Sequence, residues 1–139
     1  MARGNSSIEL IDYQIRELEL YISKEDEYSE ENALGVDFEF MQHESDPDLY
    51  LVNLILTING DVPKETEVLL RLRADLEGYV RVPSGCGTVY LRAYLVAGTE
   101  LVYNTFRGTL ACLLGQTAAK DYILPAVDFN RIAGIAPNY

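Results

Sequence analysis

The N-terminal half of this chain is written in a period of two. Val36, Phe38 and Phe40 alternate with Asp37 and Glu39; Tyr50, Val52, Leu54, Leu56 and Ile58 repeat the pattern over a longer run. A third run places Val68, Leu70, Leu72, Ala74 and Leu76 opposite Arg71, Arg73, Asp75 and Glu77. Successive side chains of a strand point to opposite faces, so each run predicts a half-buried strand. Ahead of them, Ile8 and Leu10 alternate in one phase, Ile11, Tyr13 and Ile15 in the other, and Leu18, Leu20 and Ile22 return to the first. The change of phase near Arg16-Glu17 predicts one long strand with a bulge or bend. The acidic run Lys24 to Asn32 reads as a solvated loop, after which Gly35 begins the next strand. Asn59-Gly60-Asp61 supplies positive backbone dihedrals and predicts a tight hairpin into the fourth strand. Four antiparallel strands with one apolar face need a cover.

The C-terminal half supplies it. Gly85-Cys86-Gly87-Thr88 predicts a turn before a short helical segment from Val89 to Val96, and Gly98-Thr99 a cap for a longer helix with Glu100 in its first turn, ended by Gly115. Val102, Phe106, Leu110 and Leu113 form an apolar stripe that suits the sheet. Asn104, Gly108, Ala111 and Gly115 form a second stripe of small residues. A mid-helix glycine costs ~1 kcal/mol relative to alanine, and close approach of another helix would compensate, so this stripe predicts a subunit interface. Leu124-Pro125-Ala126-Val127-Asp128-Phe129 follows; a proline among apolar residues cannot sit inside a helix and biases its predecessor to extended backbone. The segment therefore predicts a fixed extended connector, with a last helix from Asp128 to about Ile135.

That connector resembles the Leu-Pro-Pro-Val-Asn-Phe signature after the long helix of SecB, the tetrameric export chaperone of bacteria. Arg107, 22 residues before Phe129, matches the arginine of the family's Tyr-Ala-Arg-Glu helix motif without a gap. Arg16-Glu17-Leu18-Glu19-Leu20 is similar to the family's Lys-Asp-Ile-Ser-Phe, and Glu65-Thr66 before Val68-Leu69 to the Glu-Thr and Phe-Leu that open its fourth strand. The resemblance runs from Ile8 to about Ile135. It implies an α+β fold, one SecB-like domain over residues 1–139, with a four-stranded antiparallel sheet covered on one face by a long C-terminal helix. It also implies a homo-oligomer, a dimer of dimers.

The same resemblance implies where partners bind. Unfolded polypeptides would occupy an apolar groove between the sheet and the connector, with Phe38, Phe40, Tyr122, Leu124 and Phe129 as candidate lining residues. Each of the five has a second reading as plain core. SecB docks on the ATPase SecA through acidic and apolar residues of the exposed sheet face and its C-terminal segment. Glu17 and Leu69 keep two of those residue types. Tyr21 and Arg71 stand where the family has acids, Arg71 reversing the charge; Thr117-Ala118-Ala119 replaces the family's Gly-Phe-Pro. With the chain ending at Tyr139, the usual acidic tail is expected to be lacking.

Composition narrows the field. A net charge of −11 repels phosphate backbones and anionic membranes, so no nucleic acid and no direct membrane insertion are expected, and a basic polypeptide suits it. No apolar run approaches the ~20 residues of a membrane span and no leader-like segment is evident, predicting a cytoplasmic protein. Two cysteines, Cys86 and Cys112, suit reduced thiols. His43, Glu44, Asp46 and Asp48 share one polar loop that makes a poor metal cage. The single histidine lies far along the chain from either cysteine, and Gly85-Cys86-Gly87 lacks the lysine of a phosphate loop, so neither an enzyme nor a cofactor is expected. Three readings remain: a SecB-like ATP-independent chaperone serving export, a dedicated module for one partner such as an antitoxin without SecA docking, and a small-ligand carrier using the cleft between sheet and helix.

Overall fold

The computed structural model describes residues 8–23 and 32–133. It contains β1 (Glu9–Ile22), β2 (Leu34–Gln42), β3 (Leu49–Ile58), β4 (Leu70–Arg81), α1 (Thr88–Leu114) and α2 (Phe129–Ile132). The four strands form one antiparallel sheet in the order β1-β4-β3-β2. Alternation does what the period of two requires. Val52, Leu54, Leu56 and Ile58 of β3 and Leu70, Leu72, Ala74 and Leu76 of β4 are buried on one face. Arg71, Arg73, Asp75 and Glu77 lie in the alternate register and are only partly covered.

The phase changes of β1 are real irregularities. Its register on β4 shifts between Ile15 and Glu17, as the sequence implies, and again between Leu10 and Asp12. The second shift leaves Ile11 out of the apolar row it shares by parity with Tyr13 and Ile15. Ile11 is exposed, whereas Leu10, Tyr13, Ile15, Leu18, Leu20 and Ile22 pack against the core.

Between β3 and β4 the chain makes a longer excursion than a tight hairpin. Asn59 alone takes a positive φ there, at 58°. Its buried amide explains why an asparagine serves: Nδ2 donates to the carbonyl of Leu70 at 2.9 Å and to Asn32 Oδ1 at 2.9 Å, and Oδ1 accepts from the N–H of Ala33 at 3.0 Å. The chain then runs to Leu70 under the control of one cation. Arg71 donates through Nη1 to the carbonyls of Asn59 (3.0 Å) and Val62 (2.7 Å), and through Nη2 to those of Pro63 (2.6 Å) and Thr66 (2.9 Å). A planar guanidinium with five donors is suited to gathering four carbonyls of one loop.

Two helical segments were expected from Thr88 onward; the structure has one helix of 27 residues, capped by Gly87 without a side-chain bond. Gly98 and Thr99 are interior, and so is Glu100. The Thr99 hydroxyl donates back to the carbonyl of Leu95 at 3.0 Å and caps nothing. Gly98 is there for contact with the sheet, since a Cβ built on it would lie 2.9 Å from both methyl groups of Val80. Gly78 of β4 is equally close to α1, a Cβ there falling 2.5 Å from a methyl of Val102. The apolar stripe also ends one residue later than the spacing suggests. Leu114 is 1% exposed and belongs to the core, while Leu113 is 44% exposed. The stripe is Val102, Phe106, Leu110 and Leu114, with Tyr103 beside it.

The close approach at Gly98 yields a test. Gly98→Leu should lower folding stability by about 1–3 kcal/mol through overpacking against Val80, despite leucine's better helix propensity. Denaturant titration measures this, and an unchanged midpoint would mean that the helix sits farther from β4.

Candidate functional site

The chain after α1 returns across the sheet towards β2. Gly115 caps the helix, Thr117 donates its hydroxyl to the carbonyl of Leu114 at 2.7 Å, and residues 122–128 run without regular structure to the short α2. The extended connector expected around Pro125 is present. It is tied down at three points. The Tyr103 hydroxyl donates to the carbonyl of Pro125 at 2.6 Å, Leu124 is 3% exposed, and Asp128 Oδ1 accepts from the N–H of Arg131 at 3.2 Å to cap α2. From the other side, Arg92 donates to the carbonyl of Ala133 at 3.0 Å. The last helix is shorter than expected, ending at Ile132, and residues 134–139 lie outside the described ones.

At the end of the connector an aromatic cluster forms against β2. Phe129, fully buried, meets Tyr103 edge-on with ring centroids 5.3 Å apart and Phe38 at 5.7 Å. Phe38 meets Phe40 at 5.6 Å. The guanidinium of Arg107 stands 5.9 Å from the centre of the Tyr103 ring, a cation–π contact. Of the five residues expected to line a groove, Phe38, Phe40 and Phe129 are joined by ring contacts, and the five fall into two roles. Leu124 and Phe129 are core and fix the connector. Phe38, Phe40 and Tyr122 are half-buried and form accessible surface.

β2 is an edge of the sheet, and its backbone is oriented in a definite way. The N–H of Asn59 donates to the carbonyl of Ala33 and the N–H of His43 to that of Leu49, both at 2.8 Å. Between those pairs the β2–β3 register is unbroken. Antiparallel strands alternate bonded and non-bonded pairs, so the odd-numbered residues of β2 bond to β3 and the even-numbered ones aim N–H and C=O outward. Those are Leu34, Val36, Phe38, Phe40 and Gln42. The same parity carries the apolar side chains of the inner face. Among the described residues nothing pairs with this edge.

The remaining expected sites are dispersed. Asn104, Gly108, Ala111 and Gly115 line the exposed side of α1, and a Cβ on Gly108 would meet nothing within 4 Å, so no contact among the described residues accounts for that glycine. Glu17 faces Arg73 at 3.6 Å with both side chains exposed, while Leu69 is half-buried against the core. Arg71 keeps its positive charge on the outer face, with both terminal nitrogens held by loop carbonyls and not by an acid. In the polar loop, Asp46 pairs with Arg81 at 2.9 Å and Asp48 accepts from Ser84; among the described residues no three metal-ligating side chains converge. The space between sheet and α1, the cleft assigned to a small ligand, is packed with buried side chains. An open pocket of about 420 Å³ instead lies where β1, β3 and β4 meet the 59–69 loop, beside Tyr21, Lys64 and Arg71.

No protein-family model matches the sequence, and no curated protein matches it. The fold does have a relative of known structure. Over 87% of this chain and 91% of the other, it superimposes with a TM-score of 0.57 and 13% identity on the SecB-like chaperone Rv1957 of Mycobacterium tuberculosis, solved in complex with a ChAD peptide from the Rv1956 HigA1 antitoxin. The fold is SecB-like. That neighbour is a chaperone, and no helix among the described residues of this chain is long and apolar enough to cross a membrane.

Burial marks the Tyr103 anchor electrostatically. It pushes the Tyr103 phenol up to about 12, against an ordinary 10.0, with Arg107 opposing and Tyr122 adding. Burial also raises Tyr122. A phenol whose folded value is raised contributes stability in full below pH 10 and loses it as the pH climbs towards 12. The melting temperature should therefore fall across that window. Tyr103→Phe should start about 1 kcal/mol less stable, having lost the bond to Pro125, yet decline less steeply. Melting at a series of alkaline pH values separates the two effects, and parallel curves would remove Tyr103 as the source.

Proposed function

We propose that this protein is an ATP-independent chaperone that holds unfolded polypeptides, using the free edge of β2 and the aromatic surface beside it. The observation that carries the reading is the parity of β2. The residues whose N–H and C=O point outward, Val36, Phe38 and Phe40, are those whose side chains make the half-exposed apolar face. Backbone pairing at an edge is insensitive to sequence, and apolar burial adds ~25 cal/mol per Å². Together they suit clients with little in common beyond being unfolded. Phe38, Phe40 and Tyr122 line the site; Leu124 and Phe129 hold its wall. The antitoxin peptide on the SecB-like neighbour supports a polypeptide as the ligand.

Two settings fit this site. In one the chaperone serves export and meets SecA through the outer face around Glu17 and Leu69. In the other it is dedicated to a single partner such as an antitoxin. The engagement of Arg71 with four loop carbonyls and the exposed Tyr21 favour the second, since the outer face then lacks the free acids of the export family at those positions.

Assembly is part of the proposal. The small exposed stripe Asn104, Gly108, Ala111 and Gly115 serves as a helix contact between subunits in a dimer of dimers. Gly108→Leu should reduce the solution mass, because side-chain atoms added at a close helix contact have no room. Light scattering decides, and a monomeric wild type or an unaltered variant would remove the interface from α1.

For the binding site, Phe38→Ser with Phe40→Ser should weaken affinity for a fluorescent unfolded peptide by about 1.5–3 kcal/mol per side chain, the value of burying an aromatic ring. Leu124→Ser should instead cost folding stability, about 2–5 kcal/mol. Equal affinity in a folded double variant would sink the reading.

A further inference from the structure

We propose that the open pocket on the outer face, where β1, β3 and β4 meet the 59–69 loop, binds a small organic anion with a planar ring. The site stands apart from the β2 edge and does not depend on the polypeptide-binding reading. Its volume of about 420 Å³ lies in the range of pockets that enclose one small molecule. Strand register builds the floor. Tyr21 of β1 stands opposite Arg71 of β4, and Glu19 opposite Arg73, which has Thr57 of β3 on its other side. The loop is the wall, and it is preformed. Arg71 holds four of its carbonyls and the Asn59 amide anchors its start. Gly60 lies so close over Thr57 that a Cβ there would come 3.1 Å from the threonine Cβ.

The chain carries −11 overall, yet the charged residues lining this pocket are three cations, Lys64, Arg71 and Arg73, and one acid, Glu19. Neither Lys64 nor Arg71 enters an ion pair among the described residues, and Arg73 reaches Glu17 only at 3.6 Å, with both side chains exposed. Such a local surplus of positive charge suits an anion that the rest of the surface repels. The three cations offer different contacts. Both terminal nitrogens of Arg71 are bound to loop carbonyls, so it presents its charge and the flat face of its guanidinium, which favours a planar ring. Tyr21, 58% exposed and opposite Arg71, supplies aromatic surface for the same ring. Lys64 and the fork of Arg73 supply donors to the charged head, a carboxylate or a phosphate. An acidic polypeptide fits less well, because its further carboxylates would pass over Glu17 and Glu19 on the same face.

Amide NMR titrations of the full chain test this with phenyl phosphate, inorganic phosphate, phenol and hexaglutamate as probes. Phenyl phosphate should shift the signals of the strands and loop around the pocket and bind about fivefold more tightly than inorganic phosphate, the contribution of the ring. Phenol, lacking the charge, should bind more weakly than either. Lys64→Gln should weaken phenyl phosphate about tenfold by removing a charge-assisted bond. Lys120→Gln makes the same change of charge at an exposed lysine that does not line the pocket, and should leave the affinity unchanged. Tyr21→Thr, at an exposed strand position, should erase the advantage of phenyl phosphate over inorganic phosphate. An equal effect of the two lysine variants would overturn the site. Equal affinity of the wild type for phenyl phosphate and inorganic phosphate would overturn the planar ring. Tighter binding of hexaglutamate, lost in Lys64→Gln, would overturn the small ligand in favour of an acidic chain. Binding of none of the four would overturn the site outright.

Discussion

A single helix is narrower than the sheet it covers. Four strands spaced ~4.8 Å apart present an apolar face wider than the ~10 Å diameter of one helix with its side chains. α1 is set over the centre by the pairs in which glycine on one element admits a methyl from the other, Gly98 with Val80 and Gly78 with Val102. From there it packs on β3, β4 and β1, and β2 lies at the margin. The buried rows of β3 and β4 against the half-buried row of β2 follow from that width. The connector is the chain's own partial answer, since Phe129 is delivered to Phe38 by the fixed segment around Pro125. It reaches the edge without closing it, and the aromatic surface left over is the candidate site.

What was legible in the sequence divides along the same physical line. Strand existence, facing and the bulge near Arg16-Glu17 follow from period alone, because a strand's period of two leaves no freedom about which side chain goes in. The extended connector was legible for a comparable reason, proline being incompatible with the helix interior. Gly98-Thr99 misled because a glycine followed by threonine has the local chemistry of a helix start, and only the distance to Val80 reveals it as a contact. The offset from Leu113 to Leu114 is a matter of 3.6-residue drift along a long helix. Leu124 and Phe129, open in sequence to a reading as groove lining or as core, are buried. Apolar residues in a connector look alike in sequence whether they anchor it or stand exposed beside it.

Arg71 shows the limit of reading charge by position. Alternation puts it on the outer face, and a cation there opposes a basic partner. Yet a cationic side chain acts through whatever its donors face, and here they face four backbone carbonyls of one loop. The carbonyls of Asn59 and Pro63 also accept turn bonds from the N–H of Val62 and of Thr66, and Arg71 ties these turns to the carbonyls of Val62 and Thr66. Arg71 therefore organises the loop that borders the open pocket on that face. The acids nearby remain, but the face has the shape of a loop-walled surface and not of a flat acidic sheet.

The two edges of the sheet have been treated unequally by the sequence. An unpaired strand edge is a liability for any protein, commonly countered by bulges, charges or cover. β1 carries two irregularities that break a template of 14 residues into shorter pieces, while β2 keeps nine residues in register with no such interruption. Among the described residues the charges on its outer row are Asp37 and Glu39, which disfavour acidic or self-like strands beside them. An edge that is regular, apolar on one face and guarded by charge is a filter and not a barrier. If the edge holds unfolded chains as proposed, the backbone pairing it offers is indifferent to their sequence.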